Sequence, residues 1–388
     1  MSTFSISAHN VKLLTWFNFF LDFRIYGAIT ILYFAEVTGS YTLALSVFSI
    51  GTLASSLFEL PTGVLSDFIG RKRTVVFGQC AGVLAVVCYA VGGSFFFLAL
   101  GAVLEGLAFA LFSGNNSALL YDSLNQDGLA SEYAEHEGKT SSMFQYALAG
   151  SALIASVTLG WWAFNVLFWL SVIPQVIALG LALGLVDPRR ASRDIPTNVF
   201  AHLRAALGEF RKNAKLRTLS IAKVIDYGLT ESMHQFFPAL NALFWPVWAL
   251  GLVTFLHSIF ASQGFRLAGR IIKKFGEPTV LLWGGAAQFI AKTAVIAYPT
   301  VLTPLINSMT SFTFATSAVA QSSLQQKEFN DCQRATMSSL TSFAGSAVFA
   351  ISALALGVLA DRVGPVYTLL VAQVLTVSVL ILYWRLYR

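Results

Sequence analysis

Uninterrupted apolar runs of about twenty residues or more recur along the whole chain and leave it few folds to choose from. They fall near 11–34, 41–61, 74–93, 95–120, 139–160 and 163–186, and again near 217–240, 244–265, 278–297, 300–322, 336–358 and 365–385. Each is long enough to cross about 30 Å of hydrocarbon as a helix. In lipid a spanning segment must satisfy its backbone internally, as a helix or as a strand of a closed barrel. These runs are continuous and lack the short-period alternation of barrel strands, so they predict helices. Only 11% of the 388 residues are charged and 56% are apolar, against about 25% charged in an ordinary soluble domain. The expected fold is therefore an all-α polytopic membrane protein with twelve transmembrane helices.

Lysine and arginine set the orientation. With the N-terminus inside, 21 of the 25 basic residues fall on the inner side, one (Arg362) on the outer side and three (Arg24, Lys223, Lys292) within spans. This predicts a multi-pass protein of the cell inner (plasma) membrane with both termini cytoplasmic. It also accounts for the net charge of +6 without a nucleic-acid partner. Cys80, Cys88 and Cys332 are an odd number at spacings that suit neither a disulfide nor a metal, and read as packed thiols. No metal or other cofactor is expected. The first apolar run is long enough to span and reads as a helix, not a cleaved signal.

The longest polar interruption divides the chain into a six-helix bundle over 1–186, a cytoplasmic linker over 187–216 and a second six-helix bundle over 217–388. Within the linker, Phe200, Leu203, Leu207 and Phe210 stand at helical spacing among basic residues, a pattern that suits a helix lying on the inner membrane surface and equally a plain connector. The halves also echo one another. Gly63-Val-Leu-Ser-Asp67-Phe-Ile-Gly70 follows span two, Gly269-Arg-Ile-Ile-Lys273-Lys-Phe-Gly276 follows span eight, and Gly357-Val-Leu-Ala-Asp361-Arg-Val-Gly364 follows span eleven. Each has glycines seven apart and a charge at the fifth position, as three-helix units repeating with inverted topology would give. Glycines there let the backbone turn and helices approach, and an inner carboxylate can sit against the positive ends of neighbouring helices.

The first copy, in full Glu59-Leu-Pro61-Thr-Gly63-Val-Leu65-Ser-Asp67-Phe-Ile-Gly70-Arg71-Lys72-Arg73, resembles the signature loop of the major facilitator superfamily, G-x-L-x-D-x-x-G-R-K/R. The resemblance implies two pseudo-symmetric six-helix bundles with spans one, four, seven and ten around a central cavity. It also implies a gating role for this loop, with Asp67 braced against the inner end of span eleven, where Arg334 is a neighbour. A narrower resemblance, to a little-characterised bacterial branch, rests on Glu59-x-Pro-Thr-Gly and on Ser113–Leu124. Asn115 and Asn116 stand where that branch carries a Thr-Asp pair. Span four lacks the family's intramembrane arginine, having Ala102 near that place and Glu105 three residues on. Span five lacks the Gly-Pro signature of drug–proton antiporters.

Charges at membrane depth cost about 2.5–3.5 kcal/mol each on insertion scales and default to functional candidates. Asp22, Arg24 and Tyr26 on span one, Glu105 on span four, and Asp226, Thr230, Glu231 and His234 on span seven are the candidate substrate or proton pathway. At 1.5 Å per residue, Arg24 and Glu105 come within about 5 Å in depth, which predicts an ion pair and leaves Asp22 on another face. Arg24 as a holder of an anionic substrate group is the alternative. Asp226, Thr230 and His234 recur every four residues as one polar stripe; Asp226 or Glu231 suits proton coupling, and a static packing network with Lys223 against Asp226 is the competing reading. Lys292 and His257 read as structural. The acidic stretch Asp122–Glu137 reads as a solvated inner connector.

These features lead to a secondary active transporter, monomeric in the bilayer, that moves a small-molecule substrate by alternating access. Protons are the default energy source, since no phosphate-binding loop is present. Efflux of a small molecule or metabolite, import of a nutrient or metal chelate, and a non-transporting sensor with the same fold are the alternatives in that order. Five scattered histidines assemble no catalytic cluster, so an enzyme is not expected.

Overall fold

The computed structural model describes residues 5–188, 210, 213–328 and 334–387, and the side chains of Asp67 and Arg334 fall outside that description. Every regular element among the described residues is helical. The chain clusters into two compact units, one of residues 1–39 and 50–193, the other of residues 40–49 and 194–388. The surface helix expected in the linker lies outside the described residues. Phe210 is described, and it packs on Leu216 and Met337.

The first unit begins with α1 (Ile6–Asp22), a 3-10 turn (Ile25–Ala28) and α2 (Thr30–Thr38). Then come α3 (Tyr41–Ile69), whose residues up to Ser49 belong to the second unit, α4 (Arg71–Val91), α5 (Phe95–Phe112), α6 (Asn115–Gln126), α7 (Tyr133–Leu159) and α8 (Phe164–Gly184). Phe17, Val75, Leu119, Leu124, Ala178 and Leu185 form its core. Between apolar helices in lipid there is little hydrophobic drive, and close packing over small residues takes its place. Where α3 crosses α5, a Cβ on Gly106 would come within 2.7 Å of the Ser55 nitrogen.

The second unit holds α9 (Ala214–Asn241), α10 (Leu250–Phe275), α11 (Glu277–Ala297), α12 (Thr303–Glu328), α13 (Arg334–Leu375) and α14 (Val377–Tyr387). The principal pairings are α9 with α13, and α12 with both α10 and α11. Leu219, Ala222, Ala320, Val379 and Tyr383 are among its core residues.

Eight stretches among the described residues are long and apolar enough to cross a membrane. The last, Ser339–Tyr387, holds two of the expected spans, because the backbone leaves helical geometry at Gly364. The others expected are the first span, which is broken, and α9 and α12, which fall short on hydropathy. The expected spans outside the eight stretches are thus one, seven and ten. Exposed Trp161 and Trp162 at the end of α7 suit the headgroup level of a bilayer.

The three glycine-framed repeats share a backbone event. Gly70, Gly276 and Gly364 have φ of 103°, 79° and 77° and separate consecutive helices, an essentially glycine-only conformation that costs other residues about 1–3 kcal/mol. The leading glycines differ. Gly63 and Gly269 are helical with open space where a Cβ would stand, so the close approach expected at Gly63 is not made. At Gly357 it is made: a Cβ there would meet the Thr42 backbone at 2.6 Å. Beside it, Asp361 accepts hydrogen bonds from Ser40 Oγ (2.6 Å), the Tyr41 N–H (2.7 Å) and the N–H and hydroxyl of Thr42 (3.0 and 2.6 Å). The third repeat therefore receives the first turn of α3, whose leading N–H groups have no partner within their own helix.

Candidate functional site

The first span breaks just where its charges lie. α1 ends at Asp22, and Arg24 precedes the 3-10 turn in extended geometry. A continuous helix was the expectation for 11–34, and no proline enforces the break. Partners on α8 do: Ser171 Oγ accepts from the Ile25 N–H at 3.0 Å, and Gln175 Nε2 donates to the Leu21 carbonyl at 2.9 Å. Gln79 on α4 donates in turn to Gln175 Oε1 at 2.9 Å. These groups satisfy backbone that the bilayer could not.

The break aims Arg24 at α5, where its Nη1 forms an ion pair with Glu105 Oε1. Tyr89 on α4 donates its hydroxyl to Glu105 Oε2 at 2.8 Å. The Arg24 guanidinium also lies over the Phe109 ring, 5.1 Å from its centroid. Tyr26 is buried and stacks on Phe168 with centroids 4.4 Å apart. Both charges are mostly enclosed, with about a fifth of each side chain exposed (22% and 23%). Tyr89, an uncharged residue on span three, is a member that charge-based reading misses.

Asp22 turns the other way. It lines a cavity of about 340 Å³ among α1, α6 and α7, with Asn18, Asn116, Glu137 and Phe144 among its walls. Glu137 accepts from Ser117 Oγ at 2.8 Å and Ser141 Oγ at 3.5 Å. The acidic stretch is thus not a solvated connector throughout: Glu137 faces the cavity, Asp122 pairs with Arg71, and Asp127 accepts from Ser5 and Ser7. Hydrogen bonds from Ser7 and then Ser5 hold the exposed Asp127 carboxyl below its ordinary range.

In the second unit, Thr230 donates to Asp226 at 3.2 Å and Gln235 donates to Glu231 at 2.7 Å. The rings of His234 and His257 lie 5.1 Å apart. Lys292 sits over the Phe237 ring at 5.5 Å, within electrostatic reach of Asp226 and Glu231 and not in direct ion-pair contact with either. The suggested Lys223–Asp226 contact does not form, because Lys223 reaches Gln325 Oε1 at 2.7 Å. His257 and Lys292, read from sequence as structural, thus neighbour the polar stripe of α9.

In the signature loop, Arg71 binds Asp122 at 2.9 Å and Asn115 Oδ1 at 3.2 Å. Asn115 also accepts from Ser66, so this departure from the branch pattern is what joins α3, α4 and α6. Glu59 accepts from Ser113 at 3.4 Å. The Lys72 N–H donates to Asp187 Oδ1 at 3.4 Å. No ion pair engages the Lys72 or Arg73 side chains among the described residues. The Asp67–Arg334 contact involves side chains outside the described residues. No group of three or more His, Cys, Asp or Glu that could hold a metal occurs among the described residues.

Residues 13–353 match the family model described as Major Facilitator Superfamily. No curated protein matches the sequence. Solved structures resemble the fold over nearly its whole length. The nucleoside transporter NupG is 13% identical with a TM-score of 0.78, covering 99% of this chain and 100% of its own. A bacterial homolog of the human lysosomal transporter Spinster is 14% identical with a TM-score of 0.79, covering 99% and 98%. A D-xylose–proton symporter is 11% identical with a TM-score of 0.76, covering 98% and 97%.

Proposed function

We propose that this chain, which belongs to the major facilitator superfamily, carries a small solute across the inner (plasma) membrane by alternating access, driven by protons and in the direction of efflux. The observation that carries this reading is the Arg24–Glu105–Tyr89 cluster, ionisable groups held at membrane depth beside a break in the first span. Such charges are costly in a bilayer and are kept where they line a path or exchange partners. A carboxylate whose partner moves away loses its main electrostatic support and gains a reason to take up a proton.

In the second unit Asp226, Glu231, His234, His257 and Lys292 supply further exchangeable sites within a few side-chain contacts of one another. Arg24 and Glu105 are assigned to coupling, with Asp226 or Glu231 as the second protonation site. The signature loop, through Arg71 and the helix ends it joins, is assigned to the conformational change.

Proton-driven uptake of a polar nutrient is the second reading, supported by the resemblance to a D-xylose–proton symporter. Purified protein in proteoliposomes, loaded with candidate solutes and assayed with and without an imposed pH gradient, decides between them. With the protein oriented inside-out, gradient-dependent accumulation in the lumen supports efflux, and gradient-dependent exit from the lumen supports uptake. Ligand binding with no flux of any solute favours a sensor. Orientation is tested by labelling Ser94→Cys and Ser192→Cys in a background without Cys80, Cys88 and Cys332; labelling from one common side overturns the topology.

A further inference from the structure

We infer that the cavity among α1, α6 and α7 is a binding site for a small organic ammonium ion, with Asp22 and Glu137 as its charge partners. The inference rests on the transport reading only in taking that cation as cargo; the site itself follows from the first unit alone.

Charge comes first. Two carboxylates, Asp22 and Glu137, face one cavity of about 340 Å³, and no lysine or arginine lines it. The basic group nearest in sequence to Asp22, Arg24, is engaged by Glu105. Lys139, next along α7, is engaged by Glu135. The hydrogen-bond partners described for Glu137 are all neutral hydroxyls, those of Ser117, Ser141 and Tyr133. No side-chain hydrogen bond or ion pair is described for the half-buried Asp22, and Arg24 acts on it only at longer electrostatic range. The cavity therefore presents two carboxylates that no cationic side chain touches, in partly enclosed surroundings where an unpaired charge is expensive. A monocation entering it removes part of that cost.

Hydrogen bonding points the same way. The Asn116 Oδ1 atom is buried and has no partner, while its amide nitrogen donates to Asn18 Oδ1 at 3.4 Å. The cavity thus offers acceptors in excess of donors: two carboxylates and an amide oxygen. A primary ammonium has three N–H donors and no acceptor, the complement of this set.

The apolar walls decide between an organic and an inorganic cation. Beside Thr140, the apolar Leu14, Leu21, Leu120 and Phe144 complete the lining, and these four offer nothing to a hydrated metal ion, which takes six or more oxygens. They suit a hydrocarbon or aryl tail, and the Phe144 ring can take a cation on its face. The volume lies at the low end of the range for small-molecule sites, roughly 300–1,000 Å³, so the ligand is small.

The test is equilibrium binding to the purified full chain in detergent, followed by thermal stabilisation, with 2-phenylethylamine as the probe. Its neutral counterpart 2-phenylethanol, its anionic counterpart 3-phenylpropionate and sodium chloride at matched concentration are the controls. The amine should bind and raise the melting temperature while the three controls do not. Asp22→Asn and Glu137→Gln, near-isosteric changes, should each weaken amine binding about tenfold or more, the weight of one hydrogen bond to a charged group. Asp22→Glu should restore part of it, and Glu36→Gln, off the cavity, should leave it unchanged. Equal binding of amine and alcohol overturns the proposal, as does stabilisation by sodium chloride equal to that by the amine. Undiminished binding in a folded Asp22→Asn protein also overturns it. Amine binding without flux in proteoliposomes sinks the transport reading and leaves the site standing; flux of other solutes by a protein that does not bind the amine does the reverse.

Discussion

One oxygen of the Asp361 carboxylate accepts from Thr42 twice, from its backbone N–H at 3.0 Å and from its hydroxyl at 2.6 Å. The same carboxylate takes the Ser40 hydroxyl and the Tyr41 N–H, so an acid that follows span eleven closes the first turn of the helix of span two. Gly357, four residues earlier, leaves room for that turn to come close. A charge at the fifth position of the repeat thus has a physical task here, the neutralising of a helix N-terminus.

Asp361→Ala is expected to lower stability by about 0.5–2 kcal/mol, the usual weight of a lost helix cap, measured by thermal unfolding in detergent. Burial pushes this carboxyl up, but hydrogen bonds from Ser40 and Thr42 outweigh it and hold it below the ordinary range. The sign follows: its contribution is complete above the ordinary carboxyl range and fades as pH falls through the lowered value. The variant should therefore differ most from the parent near neutral pH and converge with it in acid. A gap that widens in acid would contradict the assignment.

Two glycines of one repeat should respond with opposite signs. Gly276→Ala forces an L-residue to a φ of 79° with ψ of 151° and should cost about 1–3 kcal/mol. Gly269→Ala places a methyl in open space within α10 and should stabilise by about 0.5–1 kcal/mol. Melting temperatures moving in the same direction would refute the shared turn geometry.

Breaking the Arg24–Glu105 pair on one side leaves an uncompensated buried charge, a loss of about 3–5 kcal/mol. Arg24→Glu and Glu105→Arg should each abolish flux in proteoliposomes and lower the melting temperature. The double exchange should recover a measurable part of both. Absence of any recovery in a folded double variant counts against the pair as a unit.

Tyr89→Phe removes the donor to Glu105 Oε2 and leaves the ring packing intact. A hydrogen bond to a charged group contributes about 1.5–3 kcal/mol. The variant should lower the melting temperature in a Glu105 background and have no further effect in a Glu105→Gln background, as a double-mutant cycle of thermal unfolding would read. Equal losses in the two backgrounds would place Tyr89 in packing alone.

Much of the architecture was legible because it is periodic. The apolar runs give the helices, and the repeated glycines give three of the turns between them. The contact of Arg24 with Glu105 is also legible, since depth along two helices needs only the rise per residue. The break after Asp22 is not legible: nothing in Phe-Leu-Asp-Phe-Arg-Ile-Tyr-Gly forces it, and it depends on Ser171 and Gln175 from a helix about 150 residues away in the chain, as their separations of 146 and 154 show. Glu137 misleads for the same reason. By sequence it belongs to an acidic connector, and only the packing of α1 against α7 turns it toward Asp22. His234 and His257 come together across α9 and α10, a pairing that separate helical periodicities do not disclose.

The interrupted first span has a mechanical corollary. The peptide groups it frees at Ile25 and Leu21 are taken up by Ser171, by Gln175 and by the Arg24 side chain itself, so the interruption leaves neither of them bare in the lipid. Because Arg24 stands within the break, the shape of the interruption and the guanidinium's grip on Glu105 form one unit, and a change in either is felt by the other.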